Sequence, residues 1–368
     1  MFEIVSLIVI VAYSIQAIIL ALGSKKKFEK VKEDYFLSAT VIVAARNEEH
    51  NILRCLKSLN KLDYPQNKLE IIIVDDNSTD STNKIITDFI KDKPKFKLIK
   101  PAKDFGETKG KARALANAIE IAKGEIILTT DADCSVSETW VKTITSYYKD
   151  DVIMVCGFTN QTYTNLFEGV QDTDFIFLLT VGSGSINLGK PLSAIGNNMS
   201  YRKSAYDKIG GYKKIPFSVT EDFEVLMAMN KLKDKKILFP ADADSLVTSE
   251  PCKDIKTLFR QKKRWGIGGL NSRFDNLLII SSGFWAGIVI LLSPFFFSVD
   301  VFYIILLKIL TDFYMLYSMY KRLKLKFNFV NFLGFEIYST IYFVVIAFAI
   351  AINRNVSWKG RKFNATSL

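Results

Sequence analysis

"EIILTTDADC", Glu125 to Cys134, runs apolar and β-branched residues straight into two carboxylates, Asp131 and Asp133, with only Ala132 between them. A short continuous run of this kind reads as a strand covered on both faces. In an extended chain residues i and i+2 share a face, so Asp131 and Asp133 are expected to aim their oxygens into one crevice. Like charges that close cost free energy unless a cation or a network of donors holds them. A hard divalent cation, Mg²⁺ or Mn²⁺, takes oxygen ligands and is commonly completed by substrate phosphates. The plainer alternative is that Asp133 caps the following turn.

The same pattern recurs upstream. "TVIVAA" (Thr40 to Ala45) is followed by the polar "RNEEHN", and Ile52, Leu53, Leu56 and Leu59 then recur at helix spacing. "LEIIIVDDNSTDST" holds a buried strand, Ile71 to Val74, that ends in Asp75 and Asp76, with Ile85, Ile86, Phe89 and Ile90 on the next helix. "GKARALANAIEIAKG" reads as a third helix with Ala112, Leu115, Ala116, Ile119 and Ala122 inward and Gly124 as its stop. "EIILTT" is then the third strand. Alternation of this kind predicts an α/β fold with a mostly parallel central sheet. Ligands of such sheets bind at the carboxyl ends of the strands, where Arg46, Asn47, Glu48, Asp75, Asp76, Asp131 and Asp133 all fall.

Of the 368 residues 49% are hydrophobic and the formal net charge is +11, but the apolar residues gather at the ends. No charge lies between Glu3 and Lys25, which predicts an N-terminal transmembrane anchor over 1–24 rather than a cleaved leader, whose basic residues would come first. Lys25, Lys26 and Lys27 follow it and place the next segment in the cytoplasm. Asn276 to Val299 carries no charge, Val301 to Tyr320 carries Lys308 and Asp312, one helical turn apart, and Phe327 to Asn353 carries Glu336. These segments, 276–353, read as two to three membrane segments ahead of a basic tail, 354–368. Three full spans would export that tail, so one of them is expected to be re-entrant or interfacial. Residues 36–275 form the cytosolic domain. Its four cysteines have no metal-ligand spacing and read as free thiols. The lone His50 excludes a histidine-based metal site. The basic excess borders the apolar segments, which favours anionic lipid over nucleic acid.

Two further stretches carry chemistry. "FSVTEDFEVLMAM" (Phe217 to Met229) sets Glu221 and Asp222 at the head of a helix, where they suit the helix dipole or leave Asp222 free to act as a base. "RQKKRWGIGG" (Arg260 to Gly269) reads as an interfacial helix, or as one whose Arg264 neutralises a phosphate while Trp265 stacks on a sugar or base.

Taken in order, V-D-D (Val74 to Asp76), D-A-D (Asp131 to Asp133), T-E-D (Thr220 to Asp222) and Q-K-K-R-W (Gln261 to Trp265) resemble the family-2 membrane glycosyltransferases of the GT-A fold. The single N-terminal span and the tail "SWKGRKF" (Ser357 to Phe363) look closest to the ceramide-glucosyltransferase-like branch. The stretch Ala194 to Tyr212 is similar to the acceptor-side segment of such enzymes. The resemblance implies an inverting, metal-dependent hexosyltransferase, an integral protein of the plasma membrane with its catalytic domain in the cytoplasm. It would move a sugar from a nucleotide-diphosphate donor, UDP-linked, to a lipid or lipid-linked hydroxyl. Carried over residue by residue, Asp76 with Ala45, Arg46 and Glu48 would hold the uracil and ribose, and Lys111, in the loop after strand two, would meet the donor. Asp131 would contact the ribose or sugar, Asp133 would bind Mg²⁺ or Mn²⁺, and Asp222 would be the general base. Gln261, Arg264 and Trp265 would close over the diphosphate. The competing readings are a processive polysaccharide synthase and a catalytically silent nucleotide-sugar-binding membrane protein. A nucleotidyltransferase would show a Gly-rich phosphate loop, and none follows Val43.

Overall fold

A computed structural model describes residues 1–32, 35–216, 218–269, 274–358 and 361–363. Phe217 of the T-E-D stretch, Lys359 and Gly360 of the "SWKGRKF" tail, and the tail beyond 363 lie outside the described residues. The chain opens on α1 (Phe2–Ser24) and enters β1 (Ala39–Ala45), α2 (Ile52–Asn60), β2 (Leu69–Asp75), α3 (Thr82–Ile90), β3 (Phe96–Ile99), α4 (Gly110–Ile121) and β4 (Ile126–Asp131). It continues through α5 (Trp140–Thr145), β5 (Val152–Cys156), α6 (Leu166–Asn187), β6 (Met199–Arg202), α7 (Glu221–Asn230) and β7 (Lys236–Leu238). Four long helices follow, α8 (Ile255–Gly269), α9 (Phe274–Leu292), α10 (Val299–Arg322) and α11 (Phe329–Ile352), and then two short antiparallel strands, Val356–Trp358 and Arg361–Phe363.

These elements form two compact units. One, Lys27–Asn160 with Ala194–Glu250, is built on a seven-stranded sheet of order β3-β2-β1-β4-β6-β5-β7. The pairs β3–β2, β2–β1, β1–β4 and β5–β7 are parallel, whereas β6 runs antiparallel to both its neighbours. The apolar strands pack as their composition requires: Val41, Val43, Ile71, Ile73 and Leu128 are fully buried with Ile52, Cys55, Leu56 and Leu59 of α2, and α4 packs against β1 and β2. Leu53, expected on the buried face of α2, is exposed, and Cys55 takes that face instead. "EIILTT" is the fourth strand, not the third. The strand missed ahead of it, "FKLI" at β3, is a short edge strand with no apolar run to announce it, and β5, β6 and β7, which follow "EIILTT", were not read from the sequence either.

The other unit comprises Met1–Lys26, Gln161–Ser193 and Pro251–Leu368. Here α1 packs on α6, α9 and α10, and α11 packs on α6, α8 and α9. A Cβ on Gly184 of α6 would lie 2.1 Å from the Leu20 carbonyl of α1, so the two helices approach this closely only through glycine. Among the described residues three helices are long and apolar enough to cross a membrane, Phe2–Ser24, Leu277–Phe296 and Phe329–Ile352. Their outward faces are apolar: Ile4, Ile8 and Ile15 of α1 and Ile337, Ile341 and Phe348 of α11 are exposed. That is the pattern of a surface whose solvent is lipid. The 24-residue α10 carries the expected one-turn pair, Lys308 Nζ to Asp312 Oδ2 at 2.9 Å.

Candidate active site

Strands β1, β2 and β4 end level, with Ala45 opposite Asp75 and Ala44 opposite Asp131. Strand order turns at β1, since β2 and β3 extend one way and β4 the other, and such a switch point opens a crevice at the carboxyl edge. Asp75 closes the β2 turn, accepting from the Ser78 N–H (3.0 Å) and from Asn83 Nδ2 (2.8 Å). Asp76 is the residue drawn to β1: its N–H donates to the Ala45 carbonyl (2.9 Å). Arg46 Nη1 donates to the Asp76 carbonyl (2.9 Å) and lies 3.9 Å from its carboxylate. Glu48 accepts from Asn51 Nδ2 (2.9 Å) and its N–H donates to Thr82 Oγ1 (2.7 Å). The structure therefore gathers Ala45, Arg46 and Asp76 at one edge.

Lys111 is not in the loop after strand two. It begins α4, after β3, and reaches back to the end of β4. Its ammonium lies 2.6 Å from Asp131 Oδ1 and 3.2 Å from Glu221 Oε1. Burial works against that charge, but Asp131, Glu221 and Asp222 outweigh it and hold the ammonium above its ordinary value. Asp222 sits in the first turn of α7 beside this group. It accepts from the Gly196 N–H (2.8 Å) and from the Phe223 N–H (2.9 Å). A Cβ on Gly196 would come within 3.2 Å of Asp222 and 3.3 Å of Lys111 Nζ. Thr129 of β4 fixes that glycine by donating to its carbonyl (2.7 Å). Burial, then the Glu221 carboxylate, push the Asp222 acid up to about 6 against the pull of Lys111 and the two N–H groups.

β4 ends at Asp131, so strand alternation does not extend to Asp133. The chain turns there, closed by the Cys134 N–H on the Asp131 carbonyl (3.1 Å). Arg54 clamps the turn by donating to the Asp133 carbonyl and pairing with Glu250. The thiol of Cys55 lies under it, 3.6 Å from the Asp131 carbonyl, and that of Cys134 lies 3.4 Å from Asp133 Oδ1. Burial, then Asp133 and Asp131, push both thiols up, so they remain protonated. All four cysteines are buried and free, as their spacing predicts. Among the described residues no three His, Cys, Asp or Glu side chains group to hold a metal alone. Asp131 and Asp133 are partly open oxygen donors, a set that fits a hard divalent cation whose remaining ligands are phosphate and water.

Gln261, Arg264 and Trp265 lie on α8 of the helical unit. The Trp265 ring stacks on Phe175 of α6 (centroids 5.7 Å apart, 19° between planes), with Lys262 Nζ 4.6 Å from its centroid. Lys262 is ion-paired with Asp174, both buried. In the segment similar to the acceptor side, Asn198 is spent on structure: it accepts from Trp140 Nε1 (2.9 Å) and donates to the Phe158 and Ser245 carbonyls. Sequence reasoning missed Arg54, Gly196, Asp174, Lys262 and the Lys111–Glu221 contact. Each belongs to a pair far apart in the chain and leaves no local spacing to read.

The glycosyl transferase family 2 pattern matches residues 40–210, and that of glycosyl transferase family group 2 matches residues 126–352, well over half of the chain. The chain belongs to glycosyl transferase family group 2. Among its relatives, the beta-monoglucosyldiacylglycerol synthase of Nostoc sp. is 26% identical over 264 residues, 71% of this chain and 55% of that protein. The poly-beta-1,6-N-acetyl-D-glucosamine synthase of Staphylococcus epidermidis is 27% identical over 232 residues, 62% of this chain and 53% of that protein. The chain spans about half the length of the relatives it matches. The mannosyltransferase PcManGT from Pyrobaculum calidifontis, solved in complex with GDP-Man and Mn²⁺, superposes with a TM-score of 0.61 at 16% identity, over 96% of this chain and 99% of that one. A likeness at that identity shows the fold, GT-A with terminal apolar helices.

Proposed function

We propose that this family 2 chain is an inverting glycosyltransferase that carries a sugar from a UDP-linked donor to a hydroxyl of a membrane lipid or lipid-linked acceptor. The observation that carries the reading is Asp222. It is a largely enclosed carboxylate held at the catalytic edge by two backbone N–H groups, with its acid pushed up to about 6. A base with such a value is ionised at neutral pH yet basic enough to take a proton. In the reaction Asp222 accepts the proton of the acceptor hydroxyl as that oxygen bonds to the anomeric carbon. The bond from this carbon to the diphosphate oxygen breaks on the opposite face, which inverts the centre. Asp76, beside Ala45, Arg46 and Glu48, holds the nucleoside. Lys111 and Asp131 orient the sugar and its diphosphate. Mg²⁺ or Mn²⁺, held by Asp133, would neutralise charge on that diphosphate.

The lipid acceptor is supported by the apolar helices and by the name of the Nostoc relative. The basic run Lys25–Lys27 after α1 supports a cytoplasmic sheet unit on the plasma membrane. The test is to incubate the purified full chain with a panel of UDP-sugars, Mn²⁺ and total membrane lipid, then weigh the lipid fraction by mass spectrometry. One hexose or N-acetylhexosamine added to a lipid supports the reading. Sugar recovered only in soluble acceptors would overturn the lipid assignment, and long chains on one acceptor would favour the processive synthase.

A further inference from the structure

The helical unit encloses an ionisable cluster that the glycosyl-transfer chemistry does not use. Lys308 and Asp312 of α10 form one pair (2.9 Å), and Lys308 also donates to Glu336 Oε2 of α11 (2.7 Å). Tyr13 of α1 donates its phenol to Asp312 Oδ1 (2.6 Å). Lys308, Asp312 and Glu336 are only 4%, 1% and 8% exposed, so water does not solvate them from outside. Among the described residues Glu336 Oε1 has no hydrogen-bond partner, and neither does Asp312 Oδ2 beyond its ionic contact with Lys308. Beside the cluster is a cavity of about 10 Å³, room for one water, lined by Tyr13, Lys308, Asp312, Ser339 and Thr340.

Two carboxylates face one ammonium, an excess of one negative charge, and among the described residues the neighbouring elements pair no second cation with them. Between Glu3 and Lys25 α1 has no charge, α9 has none from residue 276 onward, and Glu336 is the one charge of α11. On α6, Asp172 is bound by Tyr320 and the Gln161 N–H, and Asp174 is paired with Lys262. An uncompensated carboxylate among apolar helices costs several kcal/mol even after relaxation, about the penalty of one buried ion. We propose that the Tyr13–Lys308–Asp312–Glu336 cluster is a proton-binding site that holds one proton on its carboxylate pair at neutral pH. The bound proton makes the cluster neutral and gives the orphaned carboxyl a hydrogen to donate to the cavity water or to its partner carboxylate. The cluster then joins α1, α10 and α11 without net charge. The proposal is independent of the donor and acceptor assigned above.

The test is infrared difference spectroscopy of the full chain in lipid nanodiscs, read at the C=O stretch of a protonated carboxylic acid. At neutral pH the wild-type chain shows that band. Glu336→Gln and, independently, Asp312→Asn abolish it, since either leaves one carboxylate to pair with Lys308. Lys308→Met leaves two unpaired carboxylates, and the band area rises about twofold. A wild-type chain without the band, or a band that survives in both carboxylate variants, overturns the proposal. A parallel thermal melt in sodium, potassium and choline chloride at equal ionic strength covers the alternative occupant. An indifferent melting temperature supports the proton. A sodium-specific rise that both carboxylate variants lose would place a metal cation there instead.

Discussion

Asp222→Asn should make the protein more stable while removing its proposed base. In the fold the Asp222 acid stands at about 6, above the model-peptide value of about 3.8, because burial and then Glu221 oppose its charge. The folded state therefore binds this proton more tightly than the unfolded chain does. Its contribution to stability is fully present below the unfolded value and is lost as pH rises through about 6. At neutral pH the ionised side chain accordingly costs up to ~3 kcal/mol, a ceiling because the residue keeps a solvent-facing edge. Asparagine mimics the protonated side chain and still accepts from Gly196, so we expect a gain of about 1–3 kcal/mol at neutral pH that vanishes near pH 4. The assay is the thermal melt of wild type and variant in detergent across that range, followed by the fluorescence of Trp140, which is buried in the same unit. Equal melting temperatures at neutral pH, or a variant that is less stable there, would refute the electrostatic account of this site.

Lys111→Met should strip the cation from Asp131, Glu221 and Asp222; because Lys111 opposes the rise of the Asp222 acid, the acid limb of the pH–rate profile should move upward, and an unmoved limb counts against the contact. Asp133→Ala should abolish the Mn²⁺-dependent part of UDP binding in calorimetry, whereas the same titration in both proteins would remove Asp133 from the metal. Lys262→Met alone leaves Asp174 buried without its ion partner and should cost about 3–5 kcal/mol, while Asp174→Leu with Lys262→Met should restore most of the melting temperature. A double variant as unstable as the single one would show that the loss came from packing around Trp265 rather than from charge.

Three strands were legible in the sequence, "TVIVAA", "EIIIV" and "EIILTT", which are buried on both faces and continuously apolar; "VIMVC" at β5 is as buried and as apolar but was passed over. β3 escaped because an edge strand of four residues needs no such run. α6 escaped for a different reason. Its Gly169, Gly184, Asp172 and Asp174 break the apolar pattern, yet each meets a specific partner on another helix, so composition hides a helix that packing makes obligatory. The candidate site was legible as a set of acids at strand ends, because chain direction alone places them on one edge. Their individual roles were not. Asp131 and Asp133 look equivalent on paper, but one takes Lys111 and the other lies in an Arg54-clamped turn.

Rapid-mixing measurement of one turnover with donor already bound, in wild type and Asp222→Asn, addresses the central assignment most directly. We predict that UDP-sugar binds both proteins with nearly equal affinity and that transfer in the variant is slower by about 10² to 10⁴-fold. Wild-type transfer by Asp222→Asn would contradict the account.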